Sequence, residues 1–156
     1  MTRDLAPGPA CFTFDSPVFF DELDALGVMH NSRFAVHVER AQSALFESLG
    51  YGWSSFDERH PDLSYVVASI DIDFLAPVVA PGAMRVEVVA VALGRTSATW
   101  GYRCAIPAAT ADGEDLPVAT ARRTVVHVPP GAAGPTPWSD GFRAVFARLQ
   151  AGGRSS

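Results

Sequence analysis

The sequence predicts an α+β domain in which one antiparallel, five-stranded sheet wraps around a single long helix. Three observations carry that expectation. An apolar stripe of helical period runs from Phe34 to Leu49. Four strand-like runs follow it, joined by links rich in Gly and Pro. One aromatic run precedes it, so the only helical crossover comes after the first strand, and the short loops between the last runs favour hairpins in an antiparallel sheet rather than a parallel array.

The elements follow in order. Residues 1–10, MTRDLAPGPA, are Pro/Gly-rich and are expected to form a flexible N-terminus. CFTFDSPVFF is aromatic enough for a first strand ending near Phe20, and Pro17 suits an edge or a bend. From Asn31 or Ser32, either a good N-cap, the residues Phe34, Val38, Ala41, Leu45 and Leu49 fall at spacings of 4, 3, 4 and 4, and Gly50 is placed to end the helix. Arg33, Glu39, Arg40, Gln42 and Glu47 make its polar face. Ala35, Val36 and Phe46 widen the apolar sector beyond that of a surface helix, as a wrapping sheet would require.

After the loop YGWSSFDERHPDL come SYVVASIDIDFL, MRVEVVAVAL, TSATWGYRCAI and LPVATARRTVVHV. In the first of these, Val66, Ala68, Ile70, Ile72 and Phe74 alternate with Ser69, Asp71 and Asp73, the period-2 pattern of a half-buried strand. PPGAAGPTP then leads to a short amphipathic helix, SDGFRAVFARLQ. The expected division is a flexible 1–10, a domain over 11–128, and a linker with a short helix over 129–156.

Composition narrows the function. A chain of 156 residues has room for one core, and its 48% hydrophobic content and mean hydropathy of +0.14 are those of a folding chain. No apolar run approaches the ~20 residues of a membrane span. A net charge of -5, a pI near 5.2 and the absence of a Lys/Arg cluster argue against nucleic acid or an anionic membrane as partner, leaving a small molecule. Cys11 and Cys104 have neither metal spacing nor a disulfide framework and are expected as buried thiols. The N-terminus lacks the apolar segment of a secretory signal, so a cytoplasmic location is expected.

The densest chemistry lies in FFDELDALGVMHNSRF. Asp21, Glu22 and Asp24 crowd the start of the long helix, where up to four N–H groups lack partners and the dipole favours negative charge. Taken alone, such acids serve equally as caps or turn formers. Asp71 and Asp73 share a solvated or interfacial face. His37 lies within the helix as a structural residue, and His60 and His127 have no ligand spacing, so no metal is expected.

Asp24 to Phe34, D-A-L-G-V-M-H-N-S-R-F, together with DFLAPVVAPGAMRVEV, LGRTSATWGYRC and the order of elements, resembles the hotdog-fold acyl-CoA thioesterases of the 4-hydroxybenzoyl-CoA thioesterase type. The likeness spans Phe12 to Val128. It implies a hotdog fold and hydrolysis of acyl-CoA or acyl-carrier-protein thioesters by a homodimer or homotetramer with no cofactor. Asp24 matches the catalytic carboxylate, and Asn31 the position whose backbone N–H points at the thioester carbonyl. Glu22 stands where Asp is usual, Gly27 is the motif glycine, His30 is displaced by two from the family's histidine, and Phe34 stands where Tyr is common; these four are the expected site-lining residues. Arg95, Thr96 and Ser97 occupy the turn where the family often holds coenzyme A phosphates, with Arg122 and Arg123 expected on a strand nearby. Phe34, Trp53, Phe56 and Tyr65 would shape the acyl pocket. Two other functions fit the scaffold: a dehydratase or hydratase of acyl thioesters, and a non-catalytic acyl-thioester sensor.

Overall fold

The computed structural model describes residues 3–52 and 55–152, with Phe56 by its backbone alone. Five strands, β1 (Phe12–Val18), β2 (Tyr65–Phe74), β3 (Gly82–Leu93), β4 (Ser97–Ile106) and β5 (Leu116–His127), form one sheet in the order β1-β3-β4-β5-β2. Every neighbouring pair is antiparallel. The long helix α1 (Asn31–Phe46) lies in the concave face, and a second helix, α2 (Asp140–Gln150), packs beside its C-terminal end.

Four residues of the stripe read from the sequence, Phe34, Val38, Ala41 and Leu45, are buried together with Phe46 and meet Met84, Val86, Val88, Trp100 and Tyr102 of the sheet, while Leu49 is partly buried against the same core. Each Val, Leu, Met or Phe among them contributes about 1.5–3 kcal/mol by leaving water. Neither expected N-cap holds that position. His30 is the cap by backbone geometry, its side chain makes no capping bond, and Asn31 and Ser32 fall inside the first turn. At the other end the helix widens into a π-type turn over Glu47–Tyr51, where Gly50 takes φ 83°, a conformation that a β-carbon disfavours.

One local expectation is corrected. A bulge between Val67 and Ser69 resets the alternation of β2, so Val67 rather than Val66 shares the inward face with Ile70, Ile72 and Phe74. Residues 3–10 are strapped across the convex face, where Leu5 and Ala6 are buried. Arg103 donates to the carbonyls of Ala6 and Gly8, and Arg122 to those of Asp4 and Leu5. Gly101 makes the close approach possible, since a β-carbon there would lie 2.6 Å from Ala6 Cα. α2 is the short amphipathic helix expected at this end of the chain: Phe142, Phe146 and Leu149 are buried, and Phe146 meets the Trp100 ring edge-on at 4.9 Å.

β2 forms one edge of the sheet. Val66, Val67, Ile70 and Phe74 are 39–54% exposed along it, an unusual apolar display for an edge strand. Among the described residues no helix is long and apolar enough to cross a membrane.

Candidate active site

Asp24 sits on a tight hairpin between β1 and α1. Its backbone N–H donates to the Val28 carbonyl (2.8 Å), Leu23 bridges Met29, and the Met29 N–H reaches the Val78 carbonyl at 2.8 Å. Gly27, at φ 73°, turns the chain where most side chains would strain it. The Asp24 carboxylate closes the hairpin from inside, Oδ1 accepting the N–H groups of Leu26 (2.8 Å) and Val28 (3.1 Å). Oδ2 makes no hydrogen bond to any described residue, so one oxygen fixes the loop and the other is uncommitted.

Beside this hairpin α1 begins. Its first N–H groups, those of Asn31 and Ser32, have no acceptor inside the helix, and no acidic side chain occupies the first turn. They border an apolar cleft of about 280 Å³ lined by Val28, Met29, Asn31, Phe34, Phe74 and Val78 among others. Phe34 floors it, its ring edge-on to Phe74 at 5.3 Å. His30 is exposed at the rim. Asn31 and Phe34 thus line the cleft, and Asp24, Gly27 and His30 belong to the hairpin and cap whose Val28 and Met29 form its wall.

Glu22 is not at the cleft surface. It is 2% exposed and points beneath the hairpin, where Oε2 accepts the Phe19 N–H at 2.8 Å and Oε1 lies 3.1 Å from His37 Nε2 and 3.8 Å from Arg40. The Nε2–Oε1 approach is off the line of a well-aligned hydrogen bond, and neither atom has another hydrogen-bond partner. His37 Nδ1 meets the Ser16 hydroxyl at 2.6 Å. Burial pushes the His37 imidazole below its usual range, with the Glu22 charge pulling the other way. The neutral tautomer protonated on Nε2 suits both neighbours, because Ser16 then donates to Nδ1. No spacing in the sequence links Ser16, Glu22 and His37; they meet only through the fold.

Arg95, Thr96 and Ser97 are elsewhere. Their turn joins β3 to β4 at the Tyr65 end of β2, whereas Asn31 and Phe34 lie at the Phe74 end, about 30 Å away along a strand rising ~3.3 Å per residue. The turn's carbonyls are consumed: Arg95 accepts from the Trp138 N–H and the Arg143 guanidinium, and Thr96 from the His127 N–H. The Arg95 side chain is exposed and makes no bond to a described residue. Arg122 and Arg123, expected beside it, are engaged otherwise. Arg122 holds the N-terminal strap, and Arg123 turns inward to Glu39 (3.3 Å) and over the Tyr65 ring.

The Tyr65 end is also closed by a polar knot. Asp62, 2% exposed, accepts the Ser139 hydroxyl at 2.6 Å. Both His127 ring nitrogens lie within reach of carbonyl oxygens, and the ring stacks on Trp138 at 4.6 Å. A second cleft of about 370 Å³, lined in part by Phe46, Tyr51, Arg59 and Tyr65, opens near it. Trp53 and the Phe56 side chain lie outside the described residues. Among those residues no group of three or more His, Cys, Asp or Glu is placed to hold a metal ion. Cys104, deeply buried, has its thiol pushed up to about 12, and Cys11 is raised for the same reason, so neither is a nucleophile.

Known proteins give this geometry a setting. A thioesterase from Thermus thermophilus, solved in complex with coenzyme A and zinc, is 25% identical at a TM-score of 0.70, over 91% of this chain and 96% of that one. A thioesterase-superfamily protein of Jannaschia (17% identical, TM-score 0.77, 93% and 86% covered) shares the fold. So does a 1,4-dihydroxy-2-naphthoyl-CoA thioesterase of Synechocystis (17%, 0.73, 88% and 96%). No curated protein matches the sequence. The family model of the thioesterase-like superfamily matches residues 18–146, and the chain, a five-stranded antiparallel sheet around a long helix in the hotdog manner, belongs to that superfamily.

Proposed function

We propose that this protein hydrolyses acyl-CoA or acyl-carrier-protein thioesters, in the manner of the 4-hydroxybenzoyl-CoA thioesterases, as a homodimer or an assembly of such dimers. The observation that carries the reading is the pairing of Asp24, held by one carboxylate oxygen with the other uncommitted, with the free N–H groups of a helix start beside an apolar cleft. The bound coenzyme A of the Thermus thermophilus relative supports a coenzyme A thioester as substrate.

In this reading the thioester carbonyl lies against the Asn31 N–H, which stabilises the oxyanion as it forms. Asp24 Oδ2 then acts in one of two ways. Attack on the carbonyl carbon expels the thiolate and leaves a mixed anhydride that water cleaves; alternatively Oδ2 takes a proton from a water that attacks the same carbon. Either route yields free acid and thiol and needs no redox partner. The acyl group occupies the cleft floored by Phe34.

The dimer accounts for the separation of Arg95 from Asp24. Two β2 edges paired antiparallel about a twofold axis put the Tyr65 end of one strand beside the Phe74 end of the other. The partner's phosphate-binding turn would thereby come toward the cleft, and the exposed Val67, Ile70 and Phe74 would be covered.

The test is release of free thiol from short, long and aromatic acyl-CoAs. Turnover that is lost in Asp24→Asn supports the reading. Tight binding of acyl-CoA with no thiol release by the wild type identifies a sensor instead, and no binding or release with any acyl group overturns both.

A further inference from the structure

Beneath the Asp24 hairpin, three polar side chains from three elements form a sealed chain: Ser16 on β1, His37 on α1 and Glu22 on the turn between them. All are 2% exposed or less. Interior polar groups cost stability unless paired, and His37 sits beside Phe34 and Val38 on a helix face where an aliphatic side chain would pack without that cost. Sealed from water, Ser16 cannot reach a substrate, so the chain is not itself a hydrolytic triad.

What the chain touches gives it a role. Glu22 receives the Phe19 N–H on its side chain and the His30 N–H on its backbone carbonyl, at 2.8 and 3.0 Å. One residue thus fixes both the entry to the hairpin that bears Asp24 and the cap of the helix that offers the Asn31 N–H. The remaining side-chain oxygen of Glu22 faces His37 at 3.1 Å, and His37 is anchored in turn to β1 through Ser16 at 2.6 Å. Arg40, half-buried at 3.8 Å from Glu22, and Arg33 are the nearby cations. Loss of the His37 contact frees the carboxylate to swing, and the two groups that must meet the thioester move apart.

We infer that Ser16, His37 and Glu22 are positioning residues that hold the carboxylate of Asp24 in register with the start of α1. The inference rests on the proposed thioesterase reading for its kinetic consequence, but its structural consequence stands without it. His37→Asn keeps a polar group near Ser16 and falls short of Glu22; His37→Gln extends an amide N–H to Glu22.

With an acyl-CoA that the full-length wild type hydrolyses, His37→Asn lowers kcat roughly 10- to 100-fold with KM nearly constant, because a small misplacement of reacting groups is that costly, and His37→Gln recovers most of the loss. Amide hydrogen exchange over residues 23–31 speeds up in His37→Asn and Glu22→Gln, while that of β4 does not. A folded His37→Asn protein with wild-type kcat and unchanged exchange over 23–31 overturns the inference. So does a loss of stability with no change in turnover. Should His37→Asn fail to fold, Ser16→Ala and Glu22→Gln carry the same two readouts. If the wild type releases thiol from no substrate, the thioesterase reading falls, and the exchange measurement alone still decides: faster exchange confined to 23–31 supports the positioning role, and unchanged exchange removes it.

Discussion

The two ends of β2 use their polar groups differently. At the Tyr65 end, Asp62, Ser139, His127 and the surrounding carbonyls are bonded to one another, and Trp138 stacks over them between His127 and Phe142. At the Phe74 end, one oxygen of Asp24 and the first N–H groups of α1 are left without partners beside an apolar cleft. Apart from the buried Trp138 Nε1, which has no partner among the described residues, hydrogen-bonding capacity is consumed for structure at one end and held in reserve at the other. That contrast separates residues whose loss should be read in stability from those whose loss should be read in turnover.

The largest effect is expected at the closed end. Trp138 is 3% exposed and stacked on two rings, so Trp138→Ala should lower unfolding free energy by about 3–5 kcal/mol, measured by urea denaturation. Turnover of the remaining folded protein should be unchanged. A fall in kcat at constant folded fraction would erase the contrast between the two ends.

At the open end the balance reverses. Asp24→Asn keeps the side-chain oxygen that accepts the Leu26 and Val28 N–H groups, and Asn suits such turns nearly as well as Asp. Stability should therefore hardly change, whereas kcat should fall roughly 100-fold or more as the basic oxygen disappears. Large destabilisation with retained turnover would make Asp24 a turn residue and nothing else.

Much of this contrast was legible in the sequence. The α1 stripe and the five strands follow from local periodicity, and the acids before α1 read as caps or turn formers, signals that each segment carries within itself. What was not legible depends on residues distant in the chain. The bulge in β2 has no local mark, because Val66 and Val67 suit either face equally. The strap over Gly101 requires Arg103 and Arg122, about a hundred residues away, to reach the carbonyls of residues that read as a loose Pro/Gly leader. Glu22 looked like one more acid at the site, and only the packing of α1 on β1 turns it inward to His37. Arg95 could be placed in a turn from Gly94 onward, but which end of the sheet that turn occupies depends on β2 crossing to the far edge.

The apolar display of β2 offers the next test. Lysine at Ile70 would bring like charges together across a twofold axis if two β2 edges pair, while costing an isolated monomer little at a position already 39% exposed. Sedimentation should show a wild-type dimer at micromolar concentration and, for Ile70→Lys, association weakened at least about tenfold, or ~1.4 kcal/mol. A wild type that is monomeric and active would show that the two ends of β2 never meet between copies, and the role of Arg95 would fall with the dimer.

The smallest effect is the one that decides whether the ends cooperate. Arg95 is exposed, so a phosphate contact from it is worth about 0.2–1 kcal/mol, and Arg95→Ala should raise KM by no more than about fivefold, with kcat unchanged and with a weaker dependence on salt. A mixture of chains sharpens this. If Asp24 of one protomer works with Arg95 of the other, a heterodimer of an Asp24→Asn chain and an Arg95→Ala chain contains one site with both residues intact, and its KM should equal that of the wild type. If both residues serve a site within one chain, every site that keeps Asp24 in that mixture lacks Arg95, and only the raised KM should be measured. The roughly 30 Å between the two in a single chain favours the first result.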